Sequence, residues 1–516
     1  MARRIGPLTL SAGLLSAAIA AFVLGTALVL AAHADGFALR PADWAALSFT
    51  LKQAALSALI STLLAIPLAR ALARRRFPGR GAMVALMGAP FLLPVVVAVV
   101  GMLSVYGRDG IANQLLAVIG LPPVSIFGLQ GVVLTNVFFD LPLATRILLN
   151  GWAAIPAERF RLAETLGLPP ISVHRHIERP MLRALVPGAF VVVFLLCLTS
   201  FVVALTLGGG PRATTLELAI YQALRFDFDL GRAALLAGLQ FLTCAVVVVG
   251  AGRLTLPAGL GVGQDRPSLI PTPMGARRLL DAALIGFSAL FLALPLLSIS
   301  VDGLPYLADL RPPIWWAALR SLVVAVISAV LASVFGLCLA LLSASEPAAR
   351  RWIEMAAMLP MAASGLVLGA GLFLVVRPWI SPETLALPVT VLVNATMALP
   401  FLYRLLLPEA EALHSGYDRL CETLGMTGLA RLRHVTLPRL ARPLGLGAGI
   451  AAALSMGDLG VIALFAGDGT ATLPLMVQRL AGAYRMDQAA AASLLLVSLS
   501  FALFFVCDWG GRRAAP

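Results

Sequence analysis

Long apolar runs alternate with short polar segments along the whole chain. A helix needs about 20 predominantly apolar residues to cross a bilayer. Runs of that kind centre near residues 8–32, 50–72, 82–106, 126–149, 184–207 and 232–252. A second set centres near 279–301, 317–343, 353–376, 385–407, 443–466 and 488–507. The pattern predicts an all-α polytopic membrane protein with about twelve transmembrane helices. Met1-Ala-Arg-Arg before the first run and Ala32-His-Ala after it have the look of a signal peptide. The run is longer than the ~7–15 residues of a signal core, so a retained anchor is expected.

Two polar segments break this pattern at matching places. Arg161 to Pro180 reads RLAETLGLPPISVHRHIERP, and Arg419 to Pro438 reads RLCETLGMTGLARLRHVTLP. The halves align without a gap at an offset of 258 residues: Asn136 meets Asn394, Leu141-Pro142 meets Leu399-Pro400, Arg146 meets Arg404 and Asp229 meets Asp487. Six crossings per half make the copies point the same way, as two parallel six-helix repeats. The expected organisation is a first half over 1–254, a Pro/Gly-rich cytoplasmic linker over 255–278 and a second half over 279–516. Each polar segment, about 156–180 and 409–438, is read as a short helix between the fourth and fifth crossings. Pro156 suits its first position, and Ser415 with Asp418 approximates a capping box in the second copy. Gly167 and Gly425 fall where a helix ends in a left-handed residue. A plain connecting loop would not need its sequence duplicated, so a paired docking element is expected.

Composition narrows the class. Of the 516 residues 60% are hydrophobic and 12% charged, with a net charge of +13; soluble domains carry roughly twice that share of charge. The basic residues collect in one set of loops, which by the positive-inside rule places both polar segments and both termini in the cytoplasm. So few charges in so apolar a chain exclude a nucleic-acid role. The five cysteines (Cys197, Cys244, Cys338, Cys421, Cys507) show no metal-ligand spacing, and no metal or other cofactor is expected. Lys52 is the single lysine and follows no glycine-rich loop, so the chain lacks a phosphate-binding loop for ATP. It is not expected to be an enzyme: nothing in it reads as a nucleophile–base motif. Any ATP that drives it must be hydrolysed by another subunit.

The repeated segment resembles the cytoplasmic loop of bacterial ABC importer permeases: Glu-Ala-Ala, three residues, Gly, nine residues, Ile-x-Leu-Pro. Gly167 and Gly425 match its glycine, and Ala163 and Cys421 fall at its second alanine. Val435 to Pro438 (VTLP) matches its end, while Ile177 to Pro180 (IERP) has Arg179 for leucine. Arg161 and Arg419 stand where the family has glutamate, with acid a turn later at Glu164 and Glu422. LARALARRRFPGR, LPVVVAVVGMLSVYGRDG, LGGGPRATTLELAIYQALRFDFD and MGDLGVIALFAGDGTATLP are similar to thiamine/thiamine pyrophosphate importer permeases. The resemblance implies a type I ABC importer permease fold in the bacterial inner membrane, two copies of a cytoplasmic ABC ATPase and a periplasmic thiamine-binding protein. Ferric-iron importer permeases also fuse two such halves and remain open as an alternative.

Acids inside a crossing are costly and suggest function by default. Asp458 lies in the eleventh run opposite Ser200 of the repeat, and Asp140 lies in the fourth run opposite Ala398. On one reading Asp140, Ser200 and Asp458 line a path for a cationic solute. On the other, each carboxylate accepts hydrogen bonds from a neighbouring helix or from backbone freed by Pro142 or Gly457. In a secondary transporter the two acids would instead relay protons. Gly208 to Thr215 and Ala466 to Thr472 are matching glycine-rich stretches suited to non-helical backbone lining a cavity.

Overall fold

The computed structural model describes residues 7–33, 38–88, 92–210, 213–251, 276–426, 428–467 and 469–515. Among them all regular structure is helical. The first half supplies α1 (Pro7–His33), α2 (Pro41–Arg74), α3 (Val95–Tyr106), α4 (Ile111–Val118) and α5 (Leu129–Ala153). It continues with α6 (Ala157–Thr165), α7 (Arg179–Leu198), α8 (Phe201–Leu207), α9 (Leu216–Arg225) and α10 (Leu230–Ala251). The second half supplies α11 (Ala276–Gly303), α12 (Pro312–Ser345), α13 (Gly365–Val376), α14 (Ala386–Thr423), α15 (Leu437–Met456), α16 (Gly460–Phe465), α17 (Leu473–Gly482) and α18 (Met486–Ala514). Among the described residues, eleven helices are long and apolar enough to cross a membrane, or twelve if the bent pair Arg350–Met361 and Gly365–Val376 counts as one span. Most of the linker expected over 255–278 lies outside the described residues.

The third and ninth runs are not the single helices that their hydropathy predicts. Helix starts afresh inside each. Pro94 is the cap before α3, and the Ser364 hydroxyl accepts from the Val367 N–H at 3.1 Å to open α13. Both of these inner helices are 12 residues long. A proline has no N–H to donate and a serine cap satisfies a free one, so each sequence signals a new N-terminus within an apolar run.

Two compact units cut across the sequence halves. One comprises Leu39–Leu218 and Thr243–Leu304; the other comprises Met1–Ala38, Ala219–Leu242 and Pro305–Pro516. The first helix of each half is therefore packed among helices of the other half. In one unit α1 lies on α13, where a β-carbon at Gly371 would sit 2.7 Å from Thr26 Cβ. In the other α11 lies on α3, where a β-carbon at Gly101 would sit 2.5 Å from the Pro295 carbonyl oxygen. Small residues let backbones approach where lipid offers no hydrophobic drive between helices. The same device joins α15 to α18: a β-carbon at Gly445 would come within 2.6 Å of Gly511 Cα.

The constant offset of 258 holds only from the fourth crossing onward. Upstream, α2 and α12 begin at Pro41 and Pro312, and α3 and α13 at Val95 and Gly365, offsets of 271 and 270. The first half inserts residues 107–128, with α4, where the second has only 377–385. The unequal gaps between the apolar runs, 106 to 126 against 376 to 385, carry this insertion, but the ungapped match from the fourth crossing onward hides it.

Candidate coupling segments and translocation site

Each polar segment is stopped by its glycine as expected. Gly167 has φ +60° and Gly425 φ +63°. The Leu168 N–H donates to the Ala163 carbonyl at 2.9 Å and the Gly167 N–H to Glu164 at 3.0 Å. In the second copy Met426 donates to Cys421 at 2.8 Å and Gly425 to Glu422 at 3.1 Å. This is a Schellman stop, in which a left-handed residue lets two N–H groups reach back to otherwise orphaned carbonyls. Ala163 and Cys421 are buried, while Arg161, Glu164, Arg419 and Glu422 are exposed. Leu162 and Leu166, one turn apart, match Leu420 and Leu424, and all four are more than half exposed. Both helix ends thus present a leucine pair flanked by charge.

The chain then re-enters the bundle in the same way twice. Pro170–Val173 and Gly428–Arg431 each form one helical turn, and a five-residue π-helix follows at His174–Glu178 and at Leu432–Thr436. These lead into α7 and α15, whose first turns hold Pro180 and Pro438. Each proline removes an N–H from backbone that is helical on both sides, and the wider π turn lies just before it.

Entry into the segments differs, and two expectations fail. In the first copy α5 ends at Ala153 and α6 starts after Pro156, which is its cap rather than its first residue. In the second, α14 runs without a break for 38 residues from Ala386 to Thr423. No capping box forms at Ser415 and Asp418. The Ser415 hydroxyl donates to the Ala412 carbonyl at 3.2 Å, within the helix. Asp418 instead takes the His414 Nδ1 at 2.5 Å and the Arg431 guanidinium. These partners are more favourable for the carboxylate than free N–H groups that a continuous helix does not have.

Electrostatic anchoring also differs. Glu178 is fully buried and binds Arg70 of α2 through both oxygens, at 3.0 and 2.8 Å, with His174 Nδ1 at 2.9 Å. The matching position is Thr436, also buried. The second segment pairs Asp418 with Arg431 inside the segment, and Glu411 with Arg350 of the helix Arg350–Met358 at 2.7 Å. The Arg70–Glu178 pair spans 108 residues of sequence, and no local motif announces it.

The three residues singled out inside the spans fall in two different settings. Asp140 and Ser200 belong to one closed network between α2, α5 and α7. The Ser200 hydroxyl donates to Asn136 Oδ1 at 2.9 Å, and the Asn136 amide donates to Gln53 Oε1 at 2.8 Å. The Gln53 amide donates to the Cys197 carbonyl at 2.7 Å, and the Cys197 thiol donates to Asp140 Oδ2 at 2.9 Å. Asp458 sits at the break between α15 and α16. The backbone N–H groups of Gly460, Val461 and Ile462 and the Asn394 amide approach its carboxylate. Its Oδ2 is buried without a partner among the described residues, and the side chain borders a narrow crevice with Ser321, Thr390, Ser455 and Thr472.

Sequence reading missed Gln53 and Ser321, while Thr472 ends a glycine-rich stretch that it had singled out. The signal for the first two was a row of polar residues at helical spacing in apolar runs: Thr50, Gln53, Ser57 and Ser61 on α2, and Ser321 and Ser328 on α12, all buried. Thr50 and Ser321 also tie the glycine-rich stretches to the bundle. Their hydroxyls accept from the Leu216 and Leu473 N–H groups, each at 2.8 Å, at the starts of α9 and α17. Within those stretches Pro211, Arg212 and Asp468 lie outside the described residues.

Residues 332–515 match the family described as binding-protein-dependent transport system inner membrane component. The thiamine transport system permease protein ThiP of Brucella abortus is 40% identical over 514 residues, covering 96% of this chain and 94% of that protein. Its namesake in Escherichia coli is 41% identical over 476 residues, covering 90% and 88%. The chain belongs to this family of transport permeases. The molybdenum transport system permease protein ModB of Mycobacterium bovis is 30% identical over 215 residues, 42% of this chain and 81% of its own length. A relative of that size spans about one sequence half. The family assignment makes the chain a membrane-spanning transport permease of the inner-membrane component type.

Proposed function

We propose that the chain is the permease subunit of an ATP-driven importer for thiamine and its phosphates. The main support is one observation: relatives named for thiamine transport match at 40% and 41% identity across almost the entire chain. Two copies of a cytoplasmic ATPase would dock on the segments Arg161–Pro180 and Arg419–Pro438, the exposed leucine pairs entering apolar pockets of the partner. Binding of ATP would draw the two ATPases together and carry both segments inward. Each π-helix and its following span would transmit that movement to the bundle. A periplasmic thiamine-binding protein would deliver cargo at the other face, with both termini cytoplasmic. Asp458, bordering the crevice, would attract a thiazolium ring more strongly than it could in bulk water. Asp140 and Ser200 would hold α2, α5 and α7 together through their hydrogen-bond network.

The test is uptake into vesicles holding the permease with its ATPase. Labelled thiamine should accumulate only with ATP on the ATPase side and loaded binding protein on the other. The complex should contain one permease and two ATPases, and the permease alone should hydrolyse no ATP. Uptake driven by an ion gradient without the ATPase would make the chain a secondary transporter. ATP-driven uptake of another solute, with none of thiamine, would remove the cargo and keep the importer.

A further inference from the structure

Among the described residues only two that are not glycine hold a positive φ: Phe228 at +52° and Tyr484 at +59°. Each follows a short helix, α9 or α17. After α17 the Tyr484 N–H donates to the Ala481 carbonyl at 3.1 Å and the Arg485 N–H to Leu480 at 3.0 Å. This is the stop that Gly167 makes, with tyrosine in the place of glycine. After α9 the Asp229 N–H reaches back past Phe228 to the Ala223 carbonyl at 2.9 Å. A side chain in left-handed backbone is strained, and such strain persists where something needs that side chain. The fold gains little from either ring, since Phe228 is 67% and Tyr484 91% exposed.

Both corners belong to the same compact unit, and both lie at its end opposite the second polar segment. α15 leaves that segment and runs 20 residues, about 30 Å, before α16 and Ala466. There Arg225, the last residue of α9, donates to the Ala466 carbonyl at 3.2 Å. α18 runs back beside α15, with Gly511 against Gly445, so its start just after Tyr484 is at the same far end. Phe226, the repeat counterpart of Tyr484, adds a third ring. It is 66% exposed and meets Tyr221 edge-on at 5.8 Å. Asp227 and Arg485, both exposed, stand beside the rings. Lipid tails require no fixed ring direction and disfavour neighbouring charge. A strained corner flanked by charge suits a shaped partner in water.

We propose that Phe226, Phe228 and Tyr484 are the rings on which the periplasmic binding protein docks. The matched family is described as binding-protein-dependent, and that partner meets the face away from the ATPases. Aromatic side chains are enriched at protein interfaces, where a few residues carry most of the binding energy. The left-handed corners hold the rings out for apolar pockets on the partner. This rests on the importer reading above and assigns its outer partner a surface.

The experiment uses the assembled permease–ATPase complex and the thiamine-binding protein of the same organism, loaded with thiamine. Glycine relieves a left-handed backbone, so F228G and Y484G should unfold at a higher temperature than wild type in mixed micelles. Their Kd for the loaded binding protein should nevertheless rise about tenfold, the loss of one interface aromatic. Uptake into vesicles should fall at low binding-protein concentration and recover at saturation, with ATPase assembly unchanged. F228Y and Y484F, which keep ring and strain, should dock as wild type does. Glycine variants that dock as wild type does overturn the assignment. If they also lose stability in lipid vesicles but not in detergent, the corners are membrane anchors. Lower stability together with impaired ATPase assembly makes the rings part of the fold and also overturns it. Wild type that does not bind this protein ends the thiamine importer reading itself.

Discussion

From Ala163 to Leu198 and from Cys421 to Met456 the chain makes the same turns 258 residues apart, yet the two stretches are entered and anchored differently. The first follows a break after Ala153 and is held to α2 by the buried Glu178. The second continues a 38-residue helix, with one ion pair inside the segment and a half-exposed one to Arg350. What repeats is the part that presents a surface and returns to the bundle: the leucine pair, the glycine stop and the π-helix. What varies is the attachment behind it. If two identical ATPases dock as proposed, they would require two similar surfaces, but nothing would require the supports to be alike.

The largest expected effect follows from that difference in support. Glu178→Ala leaves Arg70 without its carboxylate, and breaking a buried pair costs about 3–5 kcal/mol. Arg70 is 32% exposed, so water recovers part of that and the lower figure applies. Denaturant unfolding of the purified chain in mixed micelles should show a loss of about 3 kcal/mol. A change below about 1 kcal/mol, the size of an exposed pair, would mean that the anchor to α2 contributes nothing special.

The glycine stops should behave alike in both copies. No atom lies within 4 Å of a β-carbon built at Gly167 or Gly425, so a side chain there meets open space in the chain alone. The cost is backbone strain, roughly 1–2 kcal/mol for a left-handed non-glycine residue. Gly167→Val and Gly425→Val should insert normally but assemble poorly with the ATPase and transport at about a tenth of the wild-type rate or less. Asparagine, which tolerates that conformation, should rescue much of the loss. If valine and asparagine variants transport equally, the stop is not what presents the surface.

The acids give the next contrast. In Asp458→Asn the amide can keep accepting from the backbone N–H groups through one oxygen, and the oxygen replaced has no partner. The fold should be retained and uptake of cationic cargo should fall about tenfold, the loss of one charge–charge contact in a partly desolvated site. Asp140→Asn sets an amide against the Cys197 thiol, a local loss of about 1 kcal/mol with uptake largely kept. Equal transport defects in the two variants would remove the distinction between a lined path and a sealed network.

Hydropathy and local motifs accounted for the spans, the duplicated segments and the glycine stops because each is written in neighbouring residues. Gly167 and Gly425 needed only the helix before them to be recognised as left-handed. The uninterrupted α14 was not legible: Ser415 and Asp418 have the composition of a cap, and only the partners His414 and Arg431 show that the acid is otherwise engaged. Arg70 with Glu178, and Gly101 against Pro295, join distant parts of the sequence, and pairing at that range leaves no periodic trace. The insertion at 107–128 was legible only in the unequal gaps between the runs, which the ungapped match from the fourth crossing onward obscured.

The smallest expected effect is at Asp418, and it tests the comparison from the other side. The carboxylate is 22% exposed and its partners His414 and Arg431 are 40% and 31% exposed. Removing it should cost no more than about 1 kcal/mol, as for other partly solvated pairs. The segment is also held by a helix that needs no separate anchor. Asp418→Ala should therefore leave unfolding in mixed micelles nearly unchanged and reduce ATPase assembly less than Glu178→Ala does. If instead Asp418→Ala destabilises the chain as strongly as Glu178→Ala, the continuous helix is not self-supporting. The Asp418 cluster would then be the second copy's equivalent of the Arg70 anchor, and the two supports would be alike in energy despite their different partners.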